Sequence, residues 1–419
     1  MRVANLILSY LIIFVGGFLL VKLKAFFIFH PIRIVNKMIP ALKVRDNRRS
    51  LSLALAGTLG VGNIYGVAYG LIVGGAGSVF WLVVSAIFAI VIKYAESTLA
   101  SLNSKGGEGI ILTFEKTFRR KWIPNVYAIC ICLLALTMGA FIQADSCISS
   151  VSYFFGVPRI FTAGFILIAV LFVTLGNTEK IKNATELMIP MATASYILIA
   201  LVAIISNGEN MGSAAVSIFN SAKSGVSFLF GAIPIFISVS FSEGFARGIL
   251  SNEAGMGTSS MSHSDGNRTP ATAGIFGMCE IIFDTLLLCV LTAFLVLTSI
   301  PDISRYSSPM ALIFDAVRIG AGDIFLPILL VSIFLFAYST IICWYTYGVK
   351  GLSYLRGNKF LLCFGFLFYF SIISASFINP NTVININDFL ILLMLIPTLL
   401  ALVKNANSIL EATKKEKLL

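Results

Sequence analysis

Ala56-Gly57-Thr58-Leu59-Gly60-Val61-Gly62-Asn63-Ile64-Tyr65-Gly66 is the stretch on which the fold turns. Gly57, Gly60, Gly62, Gly66 and Asn63 are poor helix formers inside an apolar segment. A continuous helix facing lipid gains nothing from them. An unwound stretch within a bundle does, because it turns backbone carbonyls and N–H groups toward a cavity, which bare hydrocarbon forbids. Close helix packing through small residues, at Gly57/Gly60 and Gly62/Gly66, is the competing reading. A dinucleotide-binding glycine loop is not, since no strand precedes the motif.

The chain around it has 419 residues, of which 58% are hydrophobic and 12% charged. Its mean hydropathy is +0.94. Soluble domains carry about 25% charge, so this surface cannot be clothed for water. A cytosolic enzyme, a secreted domain and a disordered chain are excluded. Apolar segments occur near 4–30, 51–73, 77–102, 123–154, 160–176, 184–206, 225–250, 271–300, 323–349, 360–379 and 386–403. They predict an all-α polytopic membrane protein with 11 transmembrane helices. The first is read as a retained span, because Lys22 and Lys24 follow its core and only Arg2 precedes it. With the N-terminus outside, 22 basic residues fall in inside loops and 5 outside. That asymmetry predicts an N-terminus outside and a C-terminus in the cytoplasm.

The net charge of +11 then reflects topology and attraction to anionic lipid headgroups. No nucleic-acid partner is expected, since no basic stripe alternates with stacking aromatics. The seven cysteines are scattered through apolar runs and lack metal-ligand spacing. No cofactor and no enzymatic activity are expected: there is no nucleophile motif or cluster of acids and histidines.

A second polar break runs from Gly244 through Arg247, Ser251, Asn252, Glu253 and Gly255 to Thr258. Pro234 upstream bends or breaks the same segment, and an Arg247–Glu253 pair is a candidate latch at the inner mouth. The two breaks stand five spans apart. Such spacing suits two five-span halves, each opening with a broken helix, with substrate at mid-membrane between them. Half-helix ends suit a small zwitterion and a cation. Gln143 and Asp145 are costly at membrane depth unless they face a cavity or partner. Phe336, Ser339 and Thr340 share one helix face, where the hydroxyls either hold a hard cation or bond back to their own helix. Lys93 with Glu96 and Asp284 are further intramembrane charges, and His263 is read as solvated.

These motifs resemble the alanine or glycine:cation symporter family, also called sodium:alanine symporters. The resemblance rests on Gly57–Gly66, Gly74-Gly75-Ala76-Gly77 with Phe80-Trp81, and Lys93-Tyr94-Ala95-Glu96. Gln143, Ala246-Arg247-Gly248, Ser251 to Gly257 and Phe336 to Thr340 continue it in family order. It implies a fold like the bacterial leucine transporter: an extra N-terminal span (1–30), two inverted five-helix repeats (51–206 and 225–403) and a cytoplasmic tail (404–419). It also implies sodium-coupled uptake of alanine or glycine by a single bundle in the bacterial cytoplasmic membrane. Substrate contacts are expected at Gly60, Gly62, Asn63, Tyr65, Gly66, Gln143, Ser240 and Gly244. Sodium is expected at Gly60, Asn63, Phe336, Ser339 and Thr340.

The chain departs from the family pattern in places. Val61 stands where a threonine is usual, Tyr65 where an alanine is, and Asp145 where an asparagine is. Ser242 and Glu243 precede Gly244 in place of a basic and a neutral residue. The two added acids leave a proton-coupled or altered-substrate amino acid transporter, or a non-transporting membrane sensor, as alternatives.

Overall fold

The structure is a computed structural model that describes residues 2–103, 109–175, 178–223, 226–229, 233–236, 238–258, 260–263 and 268–419. Along the chain run α1 (Arg2–Lys22), α2 (Pro31–Lys43), α3 (Arg45–Thr58) and α4 (Val67–Gly74). They are followed by α5 (Gly77–Asn103), α6 (Trp122–Phe155), α7 (Arg159–Thr174) and α8 (Glu179–Ser206). The second half holds α9 (Val239–Asn252), α10 (Pro270–Ser299), α11 (Leu326–Arg356), α12 (Leu361–Ser374), α13 (Pro380–Lys404) and α14 (Ala406–Lys415).

The expectation of 11 spans in two inverted five-helix repeats is overturned. Among the described residues seven helices are long and apolar enough to cross a membrane, or eight if α3 and the bent helix after it count as one span. The shortfall lies in three segments. Helix α7 has 16 residues and α12 has 14, about 24 and 21 Å of rise, against roughly 30 Å of hydrocarbon. Among its described residues, the segment 225–250 is helical only from Val239. Before it, Val226–Leu229 and Ile233–Phe236 pair as a short antiparallel ladder with Phe228 opposite Pro234. Pro234 therefore lies in a strand and does not kink a helix. An apolar run shows that a segment avoids water, but not how much of it becomes helix.

Helix α5 is the central post. Helices α9 and α10 pack along it, and α1 lies against both α5 and α9. Close approach explains Gly244: a Cβ there would stand 2.3 Å from Ser78 O on α5. Phe14, Phe165, Phe172, Leu362 and Phe366 are exposed on the periphery. In water such a belt would drive aggregation; in lipid it is the solvated face.

Among the described residues three π-helical turns interrupt the bundle: Gly62–Gly66, Ala135–Ile142 inside α6, and Ile282–Cys289 inside α10. Such turns free backbone groups from the i→i+4 ladder and are frequent at functional sites. All three border the same interior region.

Candidate substrate site

Helix α3 ends at Thr58, and α3 and the Gly62–Gly74 helix meet at a bend of 43°. Beyond Leu59, the Gly60 N–H turns back to Thr58 O at 2.8 Å. The Ala56 carbonyl accepts from Thr340 Oγ1 of α11 at 2.8 Å. Val61 N–H donates to Gln143 Oε1 of α6 at 3.1 Å. A Cβ at Gly60 would lie 2.8 Å from Thr340 Oγ1 and 3.0 Å from Gln143 Oε1, so only glycine lets the three elements meet here.

A cavity of about 90 Å³ opens beside this break. Val61, Gly62, Tyr65 and Gly66 form one wall, with Gln143, Met138 and Ile142 of α6 facing them. Arg247, Leu250 and Ser251 of α9 form a third side, and Ile384, Asn387 and Asp388 of α13 complete it. A Cβ on Gly62 or Gly66 would meet nothing within 4 Å. Both glycines face open space.

Tyr65 also lines a larger vestibule of about 760 Å³ with Tyr69, Asp145 and Arg159. Its ring therefore stands between the two spaces. Tyr65 and Tyr69 stack at 6.5 Å, and the Arg247 guanidinium lies 4.8 Å over the Tyr69 ring. Arg247 pairs with Glu243 at 3.3 Å, and Glu243 also accepts from Asn5 of α1 at 3.3 Å. Asp145 pairs with Arg159, which donates as well to Ala375 O at 2.7 Å. Gln143 faces the cavity and Asp145 the vestibule, as a two-residue step of about 200° requires.

The structure thus brings Gly60, Gly62, Tyr65, Gly66, Gln143 and Thr340 to one place. Other expected residues lie apart from it. Ser240 donates to Gly74 O at 2.5 Å and, with Gly244, holds α9 against α4 and α5. Ser339 donates to Phe336 O of its own helix at 3.0 Å, and the Phe336 ring stands edge-on to Tyr196. Asn63 turns away from the cavity to Asp284 of α10. Arg247 is no inner latch with Glu253: it lies in the bundle, paired with Glu243. Sequence reasoning does not reach Asn387 or Asp388. The signal it offers for them is an acid inside the apolar segment 386–403.

At the other end of α9 a second polar layer is fully buried. Lys93 Nζ donates to Asn252 O at 2.9 Å and lies 3.6 Å from Glu96 and 3.5 Å from Glu280. Glu96 accepts from Gly255 N–H at 3.0 Å. His263, expected in solvent, is buried and bonded to Glu280. The cavity therefore lies between an aromatic and arginine layer and an ion-paired layer.

The sodium:alanine symporter family profile matches residues 2–416. The chain belongs to this family. It is 30% identical over 381 residues to the sodium/alanine symporter AgcS of Methanococcus maripaludis, covering 87% of this chain and 83% of that protein. Among solved structures, it resembles MhsT in complex with L-phenylalanine, with a TM-score of 0.55 and 15% identity over 84% of this chain and 87% of that one. It also resembles the Eremococcus coleocola manganese transporter, with a TM-score of 0.56 and 12% identity over 84% and 75%. Those two likenesses concern the fold alone. As a family member the chain is a multi-pass inner-membrane protein and an ion-coupled amino-acid transporter, not an enzyme. Among the described residues no three His, Cys, Asp or Glu side chains gather as a metal site.

Proposed function

We propose that this symporter family member carries a small neutral amino acid, alanine or glycine, inward with sodium. One observation carries the reading: a small cavity at a helix break offers both charge signs, Arg247 and Asp388, between apolar walls. A zwitterion needs such a pair in a site withdrawn from water. The carboxylate meets Arg247 and the N-terminal turn at Gly62 and Asn63; the ammonium meets Asp388 and Gln143. Val61, Ile142 and Leu250 leave room for a hydrogen or a methyl. At about 90 Å³ the space is well below the roughly 300–1,000 Å³ of larger-ligand pockets. That AgcS is named a sodium/alanine symporter supports both substrate and ion.

Sodium is assigned to the crossing of α3 and α11, where the break gives the Ala56 and Gly60 region carbonyls and Thr340 gives a hydroxyl. Ser339 joins when its hydroxyl leaves Phe336 O. Proton transfer through Asp145 or Glu243 is the weaker reading, because each acid already has an arginine partner. Tyr65 and Arg247 are the movable layer on the vestibule side, and the Lys93 layer seals the other side until the bundle rocks. The whole site lies within one chain, which suits a monomer.

Proteoliposomes holding the purified chain decide the matter. An inward sodium gradient is expected to accumulate labelled alanine or glycine, and a proton gradient alone is not. Accumulation that ignores sodium, or none of any small amino acid, would overturn the reading.

A further inference from the structure

Helix α1 ends at Lys22, and Lys24 and Ala25 follow in left-handed backbone, with φ of 52° and 44°. That turn closes the span, and Pro31 opens α2 as a new helix. Helix α2 has 13 residues and carries Arg33, Lys37 and Lys43. About 20 Å of rise with three cations does not cross a membrane. At about 100° per residue its side chains fall on three faces. Ile34, Met38 and Ala41 pack on the bundle, where the Met38 sulfur lies 3.0 Å from Cys279 Sγ of α10. Ile32, Val35 and Ile39 form a second face, and all three are exposed. Arg33 and Lys37 form the third, turned to the tail of the chain.

This third face is one side of a cleft of about 700 Å³, and Lys415, Glu416 and Lys417 line the other. Four cations there meet one acid. Glu416 is already held by Lys37 at 2.7 Å. Arg33 donates to the Leu419 and Lys417 carbonyls. The ion pairs of the described residues include neither Lys415 nor Lys417.

We propose that the cleft between α2 and the tail binds the headgroup of an anionic phospholipid, with Ile32, Val35 and Ile39 seated in its acyl chains. Charge and apolar surface lie side by side on one short helix, and both must be covered. A free phosphate would neutralise the cations but leave the isoleucine and valine face in water. A zwitterionic lipid would cover that face but leave the excess charge. An anionic phospholipid does both, as at other interfacial helices. The headgroup then ties α2 to the tail.

That tie reaches the transport machinery through two connections. Only Val44 separates α2 from α3, and α3 runs on to the break beside the cavity. Helix α14 is bonded to the central post α5 by Thr413 and Tyr94 at 2.8 Å. A lipid in the cleft therefore holds the far end of the broken helix against α5. Transport is expected to depend on the lipid and not only on the substrate gradients.

The test is thermal melting of the purified full-length chain in neutral detergent, with short-chain phosphatidylglycerol, short-chain phosphatidylcholine or glycerol phosphate added. Phosphatidylglycerol should raise the melting temperature by several degrees, because a ligand of the folded state stabilises it by mass action. The other two should not. Lys415→Gln with Lys417→Gln removes two charges that hold no ion pair, so the double variant should melt like wild type without lipid and lose most of the rise. Arg120→Gln with Lys121→Gln removes two exposed charges far from the cleft in the sequence, and should keep it. In proteoliposomes, wild-type uptake of alanine should be several-fold faster when phosphatidylglycerol is mixed into phosphatidylcholine, and the Lys415/Lys417 variant should lose that gain. An equal rise with phosphatidylcholine or with glycerol phosphate would overturn the lipid site. So would an equal loss in both double variants, which would mean diffuse surface charge. Should wild type carry no alanine at all, the transport reading falls, and melting still decides the lipid site.

Discussion

Three residues at and around the helix break carry separable roles. Thr340 Oγ1 reaches the Ala56 carbonyl, so Thr340→Val keeps the volume and removes the oxygen. The lost hydrogen bond costs about 1 kcal/mol of stability. Half-saturation for sodium in uptake should rise several-fold, with the amount of folded protein in the membrane unchanged. An unaltered sodium curve would take Thr340 out of the site. Gly62 is different, since a Cβ there meets only open space. Gly62→Leu should therefore fold, melt like wild type and bind no alanine, because the added side chain occupies the cavity. Calorimetry with alanine checks it, and normal binding would mean that substrate sits elsewhere. Asp145 faces the vestibule and holds Arg159, which in turn holds the Ala375 carbonyl. Asp145→Asn keeps the shape and a hydrogen bond to Arg159. Uptake should persist with the same sodium dependence; its loss, or the loss of a measured proton dependence, would bring the proton-coupled alternative forward.

Helix α5 shows how one element serves both stability and gating. Its N-terminal half is packed against Gly244. Its C-terminal half carries Lys93, which compensates Glu96 of the same helix and Glu280 of α10. Removing one partner of a buried ion cluster leaves uncompensated charge, at a cost of about 3–5 kcal/mol. Lys93→Met, similar in length but neutral, should lower the melting temperature in detergent by several degrees. Glu280→Gln in the same background should recover part of that loss, because it removes one of the stranded carboxylates. If the double variant melts no higher than Lys93→Met, the pairing contributes little. The spacing of Lys93 and Glu96, three residues apart, shows in the sequence that the two charges share a face. Their third partner, Glu280, lies on another helix, and His263 reaches it only because the chain after α9 folds back into the bundle.

At the scale of the whole molecule, the two basic ends of the chain come together. Lys37 of α2 pairs with Glu416 at 2.7 Å, and Arg33 donates to Leu419 O at 3.0 Å. Tyr94 of α5 bonds Thr413 of α14 at 2.8 Å. The exposed Lys37 pair is worth at most about 1 kcal/mol, but it sets residues 31–49 and the tail on one face. From their excess of lysine and arginine we propose that this face is the cytoplasmic one. Single cysteines at Lys37 and Lys414, in a background cleared of native cysteines, should both resist an impermeant thiol reagent added outside intact cells, while one at Ser307 should react. Reaction at the first two would invert the proposed orientation. Composition alone determined that the chain lives in lipid, since 12% charge cannot cover 419 residues in water. The glycines of 57–66 determined where a helix must break, because backbone propensity is local. The family was legible for the same reason, as its motifs are short runs that keep their order. The number of full-length spans was not legible, since hydropathy marks apolar residues and is blind to where a helix ends. Nor was the composition of the cavity: Arg247 and Asp388 lie on helices far apart in the chain, and Ser240 and Gly244, on the same helix as Arg247, turn out to pack against α4 and α5. Which face of a helix meets the cavity depends on how that helix rotates against its neighbours. That rotation is set by close contacts such as Gly244 on Ser78, and only the tertiary structure brings those two residues together.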